Sequence, residues 1–284
     1  EVQLSHRARG ERGGQLVGDQ DAHPAADGAA EVGDDGVVEH RVETPFGDPS
    51  AALTEATLDG RRIVFLPRHG AAHEYLPHTV PYRANLWAMR SLGVRTILSA
   101  SAVGGLRPDH GPGTVVVPDQ LVDRTGGRAQ TFFDRLPVGH AHGPIHVSLA
   151  DPYCPRLRAA MKRPDVVDGG TLVVIDGPRF STRAESRWYS AQGWSVINMT
   201  GHPEAALARE LQICYANACL ITDLDAGVSE GEGVTAAEVF AEFSRNLPAF
   251  AGLLLEAIRS IDAAAECSCA AADHDVDAIL EDIS

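Results

Sequence analysis

The amino-acid sequence predicts a single α/β domain whose central mixed, largely parallel β-sheet is flanked by helices. Short uninterrupted runs of Val, Ile and Leu recur between residues 62 and 222, and such runs are typical of strands covered on both faces. Helical patterns lie between several of these runs, an alternation that indicates a parallel sheet with helices packed on it. With 284 residues, 44% of them hydrophobic, the chain is long enough to bury such a core.

The first half of the body contains three of the expected strands and one helix. Residues 62–67 form an apolar run that ends at a proline, which predicts a buried strand. Residues 80–92 predict a helix, because Pro81 suits a first turn and Gly93 suits a helix end. Further strands are expected over residues 94–100 and 114–118.

The second half contains three more strands and two helices, and the chain has no internal repeat. Strands are expected over residues 170–175, 194–199 and 213–222. One helix is expected over 204–212, and a long one over 235–261 with a kink near Pro248.

The net charge of −15 lies mostly at the two ends of the chain. Residues 1–43 carry a net charge of −6 and residues 262–284 carry −7, which leaves −2 for residues 44–261. All sixteen aromatic residues lie in this middle part. We therefore expect an atypical, disordered or misassigned segment over 1–43, a domain over 44–261 and a solvated acidic tail over 262–284. No basic excess remains to bind nucleic acid or anionic lipid. An acidic arm for a basic partner is the alternative for the ends.

The cysteines and the hydropathy pattern predict a cytoplasmic protein with reduced thiols. There are five cysteines, an odd number, and several lie in apolar stretches. No apolar run approaches the roughly 18 residues of a membrane span, and the first residues lack the order of a signal peptide. Cys267-Ser-Cys269 with His274 is either a clip for a soft metal or a pair of tail thiols. Because its spacing matches no common zinc motif, we expect no metal.

Polar side chains beside small residues follow several predicted strands, where open α/β sheets bind ligands. Arg68 and His69 follow the first strand, and an arginine fork beside a histidine suits an oxyanion such as phosphate. Ser101 and Thr200 follow two other strands and add hydroxyl donors, while Ala102 allows close approach of the backbone. The alternative is a structural cluster of hydrogen bonds.

Two carboxylates and an aromatic residue end the remaining strands. Asp223 and Asp225 lie on one side of the last strand. One carboxyl, its pKa raised by its neighbour, can be a proton donor, and the alternative is that the two only cap the strand for solubility. Phe180 beside Ser181 suits a flat heterocycle but also suits the core. Met199 is either an apolar wall of a site or ordinary core.

The motifs that contain these residues resemble a known family. They run in order as Pro67-Arg68-His69-Gly70, Val80-Pro81-Tyr82-Arg83-Ala84-Asn85, Gly177-Pro178-Arg179-Phe180-Ser181-Thr182-Arg183-Ala184-Glu185, Asn198-Met199-Thr200 with Pro203-Glu204, and Thr222-Asp223-Leu224-Asp225. From about Val42 to Ile261 the chain resembles the trimeric purine nucleoside phosphorylases, in their 5'-methylthioadenosine phosphorylase branch.

The resemblance implies a nucleoside phosphorylase fold and the phosphorolysis of a purine nucleoside by inorganic phosphate, a co-substrate, without metal or organic cofactor. It implies phosphate ligands at Arg68, His69, Ser101 and Thr200. It places Ala102 and Met199 at the ribose, and Phe180 and Ser181 beside the base. It implies that Asp223 and Asp225 meet the purine edge, with Asp223 as proton donor to N7, and that Asp223 and His69 are the catalytic residues. It also implies a homotrimer.

Asp223 favours adenine nucleosides, since a carboxylate accepts from a 6-amino group and faces O6 of a 6-oxopurine unfavourably. The resemblance to the methylthioadenosine branch implies methylthioadenosine as the substrate, with adenosine or 6-oxopurine nucleosides as the alternative. For the 5' end of the nucleoside, the resemblance implies apolar contacts near Val234, Ala236 and Val239. His202 is either a further wall of that pocket or a histidine in a surface loop.

The family's first phosphate loop, a Gly-Gly-Ser/Thr-Gly segment, is expected about twenty residues before Thr44. The sequence there is HPAADGAAEVGDDG, which contains no such loop. A nucleoside-binding homologue with impaired phosphate binding is therefore a second hypothesis from a different functional class.

Overall fold

A computed structural model describes residues 4–5, 15–16, 36–135, 145–228, 233–262, 265, 267–270 and 275–283. The segment in which the first phosphate loop is expected, and His274 in the tail, lie outside these described residues.

Two small antiparallel sheets precede the central sheet. The strands β1 (Leu4–Ser5) and β2 (Gln15–Leu16) form one pair. The other sheet has three strands, β3 (Val38–His40), β4 (Leu53–Leu58) and β5 (Arg61–Phe65), in the order β3-β4-β5. The strand predicted at 62–67 is therefore present, but its expected place among the parallel strands is wrong.

The central sheet has seven strands. They are β6 (Thr96–Gly105), β7 (Val115–Val117), β8 (Gln120–Arg124), β9 (Val166–Asp168), β10 (Thr171–Ile175), β11 (Val196–Asn198) and β12 (Cys214–Leu224). Their order is β8-β10-β11-β6-β12-β7-β9. Four neighbouring pairs are parallel, whereas β11–β6 and β12–β7 are antiparallel. The predicted mixed, largely parallel sheet is confirmed.

Six helices surround this sheet in the described part of the chain. They are α1 (Tyr82–Ser91), α2 (Pro155–Ala160), α3 (Arg183–Ala191), α4 (Gly201–Glu210), α5 (Ala236–Ser260) and α6 (Val276–Ile283). Short 3₁₀ turns lie at Phe133–Arg135 and Ser268–Ala270. Among the described residues, no helix is both long and apolar enough to cross a membrane. Helix α5 continues through Pro248.

Helix α1 begins and ends close to where its sequence predicts. Pro81 is the N-cap residue, and Gly93 follows the C-cap with a φ of +82° that a side chain would disfavour. Leu86 and Trp87 are buried on its inner face, which contacts α4. The apolar spacing of the helix thus fixes which face packs on the core.

Helices α3 and α5 both begin with a capping box. Thr182 accepts from the backbone N–H of Glu185, and the Glu185 carboxylate accepts from the N–H of Thr182. Thr235 and Glu238 make the same reciprocal pair. This Thr-x-x-Glu spacing is the signal for α3 that sequence reasoning missed.

The charge pattern led us to expect a solvated acidic tail, but part of the tail packs on the body of the protein. In α6, Val276 and Ile279 are buried and Val276 belongs to the main core. Asp277 Oδ1 accepts from the buried Arg90 guanidinium at 2.7 Å. The buried apolar face of this helix therefore packs the acidic tail against the core of the domain.

Candidate active site

A cleft opens where the central strands β6, β11 and β12 meet the segment after β5. It encloses about 930 Å³, part of it open to solvent. Nine of the predicted site residues line it: His69, Ser101, Ala102, Phe180, Ser181, Met199, Thr200, Asp223 and Asp225. The topology therefore brings together side chains that lie more than 150 positions apart in the sequence.

Three neighbouring strands place Asp223 in the cleft. Asp223 on β12 pairs with Gly104 on β6, and Gly104 pairs with Ile197 on β11. A Cβ atom on Gly104 would lie 2.9 Å from Ile197 Cγ2 and 3.3 Å from Asp223 Oδ1. Glycine is therefore required here for the close approach of the carboxylate to the sheet.

Asp223 has the electrostatics of a proton donor. Burial raises the pKa of its carboxyl from 3.8 to about 6, and the charge of Asp225 adds to the rise. The hydroxyl of Thr222 donates to Asp223 Oδ2 at 2.9 Å, and this hydrogen bond lowers the pKa and so offsets part of the rise. A carboxyl whose pKa is this high holds a proton in a useful fraction of molecules near neutral pH.

Asp225 stands beside Asp223 with unused acceptor capacity. Its backbone N–H donates to the carbonyl of Gly105 at 3.0 Å, which fixes its position at the end of the strand. Burial raises the pKa of its carboxyl, and the nearby hydroxyls of Ser181 and Ser186 oppose the rise. Asp225 Oδ2 and Ser181 Oγ are both buried without a well-formed hydrogen bond among the described residues. Since such groups are costly to leave unpaired, they suit a polar ligand.

Asn198 joins the two hydroxyl-bearing parts of the cleft. Its Nδ2 donates to Ser101 Oγ at 3.3 Å, and its Oδ1 accepts from the backbone N–H groups of Thr200 and Gly201 at 3.3 and 3.2 Å. Thr200 is the N-cap residue of α4, but its side chain makes no capping hydrogen bond. Thr200 lines the cleft, and its hydroxyl is not used to cap the helix.

His69 is oriented by the chain that follows it. Its Nδ1 lies 2.6 Å from the carbonyl oxygen of Tyr75, so Nδ1 carries the hydrogen and donates it. The ring stacks on His73, with centroids 4.6 Å apart and planes 14° from parallel. Phe240 on α5 meets His73 edge to face at 6.3 Å. His73 and Phe240 also line the cleft, and sequence reasoning assigned neither a role.

Arg68 does not line the cleft in this structure. Its Nε and Nη2 donate to the carboxylate of Glu204, the latter at 3.1 Å, and Nη2 also donates to Ser99 Oγ. Tyr215 OH donates to Glu204 Oε2 at 2.8 Å, which completes a hydrogen-bond network that joins Arg68 to α4. The role of Arg68 as a phosphate ligand therefore stays a prediction.

Two residues considered for the 5' end lie elsewhere. Ala236 is exposed at the start of α5, and the cleft is lined one turn later by Val239 and Phe240. Ala236 itself does not line the cleft, so its contact with the 5' end stays a prediction. His202 is neither a cleft wall nor a surface residue, because it is buried with Nε2 3.2 Å from Asp123 Oδ2. Burial lowers the pKa of His202.

Arg128 supports the cleft from behind, and nothing in the sequence pattern marked it. Its side chain is 4% exposed and donates to the carbonyl oxygens of Met199, His202 and Asp176 at 2.9, 2.6 and 2.8 Å. One guanidinium thus ties the loop after β11 to the loop after β10. A lone arginine in a polar stretch carries no signal for this role, because its partners are backbone carbonyls from distant segments.

Comparison with known proteins agrees with the geometry of the cleft. The family model described as the phosphorylase superfamily matches residues 26–259, a range that begins ahead of Val42. The chain is 60% identical over 228 residues to the S-methyl-5'-thioadenosine phosphorylase of Mycolicibacterium smegmatis, covering 80% of this chain and 85% of that one. It is 55% identical to the purine nucleoside phosphorylase of Streptomyces coelicolor, covering 84% and 89%.

A solved structure shares the same architecture. The methylthioadenosine phosphorylase from Schistosoma mansoni in complex with adenine superposes with a TM-score of 0.75 at 35% identity, covering 87% of this chain and 91% of that one. The family match spans most of the sequence, and the central sheet and the cleft residues lie within it. The chain therefore belongs to the phosphorylase superfamily.

Proposed function

We propose that this chain catalyses the phosphorolysis of S-methyl-5'-thioadenosine to adenine and 5-methylthioribose 1-phosphate, a step of methionine and purine salvage. The observation that carries the proposal is Asp223, a partly buried carboxyl with a raised pKa in a cleft that also contains His69, Ser101 and Thr200. A proton donor and a set of phosphate ligands in one cleft are what this reaction requires.

The nucleophile is inorganic phosphate. One phosphate oxygen forms a bond to the anomeric carbon as the bond from that carbon to purine N9 breaks, and the electron pair of the broken bond moves into the purine. The hydroxyls of Ser101 and Thr200 and the ring of His69 provide donors for the phosphate. Asn198 donates to the Ser101 hydroxyl and accepts from the backbone N–H of Thr200, which positions both residues. Arg68 joins them from its position beside Glu204. Positioned donors lower the barrier by orienting the nucleophile.

The leaving group is adenine, and Asp223 supplies a proton to its N7. The raised pKa of Asp223 makes this transfer accessible near neutral pH. Its second carboxyl oxygen accepts from the 6-amino group. Asp225 and Ser181 have unused hydrogen-bonding capacity and complete the base site with Phe180 as a stacking face.

The 5' substituent lies against apolar side chains. Leu76, Val239 and Phe240 line the cleft, and Leu76 and Phe240 are 47% and 45% exposed without a ligand. Exposed apolar side chains around a cleft favour an apolar thioether over a hydroxyl. This supports the methylthio substrate over adenosine.

A second candidate is a purine nucleoside phosphorylase acting on adenosine or on 6-oxopurine nucleosides. The relative named purine nucleoside phosphorylase, at 55% identity, supports it. Asp223 favours the adenine nucleosides within this alternative. A homologue that binds nucleoside without turnover is the third, supported by the sequence HPAADGAAEVGDDG where the first phosphate loop is expected.

We propose further that the enzyme is a cytoplasmic homotrimer that needs neither metal nor organic cofactor for the reaction. The resemblance to trimeric purine nucleoside phosphorylases supports the trimer. The cleft residues support cofactor-free chemistry, since protonation of the base and binding of phosphate together account for the bond changes.

One assay tests the proposal. The full-length protein is incubated with methylthioadenosine, adenosine or inosine, each with and without phosphate, and the released base is quantified by chromatography. We expect phosphate-dependent release of adenine with kcat/KM highest for methylthioadenosine. Higher kcat/KM for inosine would select the 6-oxopurine alternative. Binding of methylthioadenosine by calorimetry without turnover at saturating phosphate would select the impaired homologue.

A further inference from the structure

Four of the five cysteines meet at one place, away from the cleft. The sulfur atoms of Cys154, Cys214, Cys267 and Cys269 all lie within 4.8 Å of one another. Cys214 begins β12, whereas Asp223 lies near its other end, on the order of 30 Å along the strand at about 3.3 Å per residue. We propose that these four thiolates bind one structural Zn²⁺ ion that fastens the C-terminal tail to the body.

The spacing of the sulfur atoms suits tetrahedral zinc. A Zn–S bond of about 2.3 Å places the sulfurs of a tetrahedron roughly 3.8 Å apart. Cys267 Sγ lies 3.4 Å from both Cys154 Sγ and Cys269 Sγ, and no pair exceeds 4.8 Å. Small side-chain adjustments therefore bring all four to bonding distance of a common centre. All four are free thiols in this structure.

The burial of the cluster also suits a closed structural site. Cys154, Cys214 and Cys269 are buried within one apolar core cluster, and Cys267 is partly exposed at its edge. Four ligands without an open position are typical of structural zinc, and the exposed edge at Cys267 is a route for entry. Binding one Zn²⁺ releases four thiol protons, so the site needs no oxidant or other co-reactant.

The surroundings of the cluster supply a positive charge and link it to the tail. Arg156 Nη2 donates to Cys214 Sγ at 3.5 Å, and its Nη1 donates to the carbonyl of Asp262 at the start of the tail. A donor to a sulfur ligand offsets part of the negative charge of a tetrathiolate centre. The ligands come from the start of α2, the start of β12 and the 3₁₀ turn Ser268–Ala270, so the ion joins three segments distant in sequence.

This site explains why spacing alone predicted no metal. Only Cys267 and Cys269 are close in sequence, and the other two ligands lie more than 50 and 110 residues earlier. Cys267 and Cys269 are therefore interpreted as ligands of a metal site shared with Cys154 and Cys214, and not as simple tail thiols.

The test uses the full-length protein purified in a phosphine reductant without chelator, exposed to one equivalent of zinc sulfate and desalted. Zinc is then quantified by mass spectrometry of the metal. We expect about one zinc per chain, and at least a tenfold lower content in the double variant Cys267→Ser, Cys269→Ser. Cys219→Ala is the matched control, because Cys219 is a buried thiol outside the cluster, and it keeps the zinc.

Two further measurements keep the test decisive if the double variant folds poorly. Cobalt substitution of the wild-type protein should give the visible bands of a tetrahedral tetrathiolate site, which do not depend on any variant. Removal of zinc by a chelator should lower the midpoint of thermal unfolding in wild type and in Cys219→Ala. A reduced wild-type chain without zinc or cobalt binding would overturn the proposal. So would zinc retained by the double variant, or disulfides within the cluster in protein purified from cells without oxidation.

Discussion

Arg68 and Glu204 form a buried ion pair across 136 positions of sequence. The pair joins the segment after β5 to helix α4, which begins directly after Thr200. Ser99 and Tyr215 contribute further hydrogen bonds to it. The network therefore fixes the position of Arg68 relative to α4 and to Thr200, which directly precedes that helix.

Glu204→Gln should act mainly through this placement. A buried arginine that loses its charged partner destabilises a protein by about 3–5 kcal/mol, which urea unfolding measures directly. We also expect the KM for phosphate to rise at least tenfold while the KM for nucleoside changes little. A purely structural role for Glu204 would instead move both constants together. Glu256→Gln, a glutamate that is 60% exposed, is the matched control and should leave both constants unchanged.

Asp223→Asn should change both rate and substrate preference. An amide has no proton to give to N7, and loss of a general acid lowers kcat by about 10²–10⁴-fold. Because an amide can donate to O6, the ratio of kcat/KM for inosine to that for methylthioadenosine should rise. The pH profile should lose the limb near pH 6 that reports Asp223. Asp109→Asn, a surface carboxylate, controls for loss of charge. An unchanged substrate ratio would contradict the role given to Asp223.

The same variant should be more stable than wild type at neutral pH. The folded-state pKa of Asp223, about 6, lies above its ordinary 3.8, so the folded chain binds more protons than the unfolded chain between these values. Stability is therefore greatest below pH 3.8, falls as the pH rises towards 6 and stays lower above it, by about 3 kcal/mol. Asparagine removes this loss. Urea unfolding at pH 5 and pH 7.5 should show the advantage of Asp223→Asn growing with pH, whereas a constant advantage would contradict the raised pKa.

Arg128→Ala should impair catalysis without removing any group that touches substrate. The guanidinium joins the carbonyls of Met199 and Asp176, and its loss frees the two loops that carry the contacts proposed for the ribose and the base. A misplacement of about 1 Å can cost roughly 10²-fold in rate, so we expect a fall of that size in kcat/KM. Arg128→Lys should recover little, because one ammonium lacks the fork geometry. Arg124→Ala, an exposed neighbour, should retain activity.

The sequence predicted five of the seven strands of the central sheet because the apolar runs of these five are continuous. It located Asp223 and Asp225 because a strand end marks the ligand-binding edge of such a sheet. The shorter strands β8 and β9 and the helix α3 lack a long apolar run, and only the Thr182-x-x-Glu185 capping box marked α3. The prediction of a solvated tail rested on charge content alone, whereas two apolar residues of the tail, Val276 and Ile279, are buried in the fold.

Residues whose role depends on tertiary contacts could not be found in this way. Ala236 was named from the family resemblance, whereas the direction of each helical residue from the axis decides which one lines the cleft. Phe240 lies one helical turn further on and faces the cleft. Arg128 acts through backbone carbonyls, whose position no sequence pattern records. The cysteine cluster likewise depends on three segments that only the fold brings together.

Phe240→Ala should lower the preference for a 5'-methylthio group. Phe240 is 45% exposed, lines the cleft and contacts His73 edge to face. Capture of a thioether would bury about half of that exposed surface, roughly 40 Å², which is worth about 1 kcal/mol at roughly 25 cal/mol per Å². We therefore expect kcat/KM for methylthioadenosine to fall about five- to tenfold, and that for adenosine to change about twofold or less. Trp188→Ala is the matched control, because Trp188 is 46% exposed and lies outside the cleft. Equal losses for both substrates would place the 5' substituent away from Phe240 and leave only a contribution of this ring to the packing of His73.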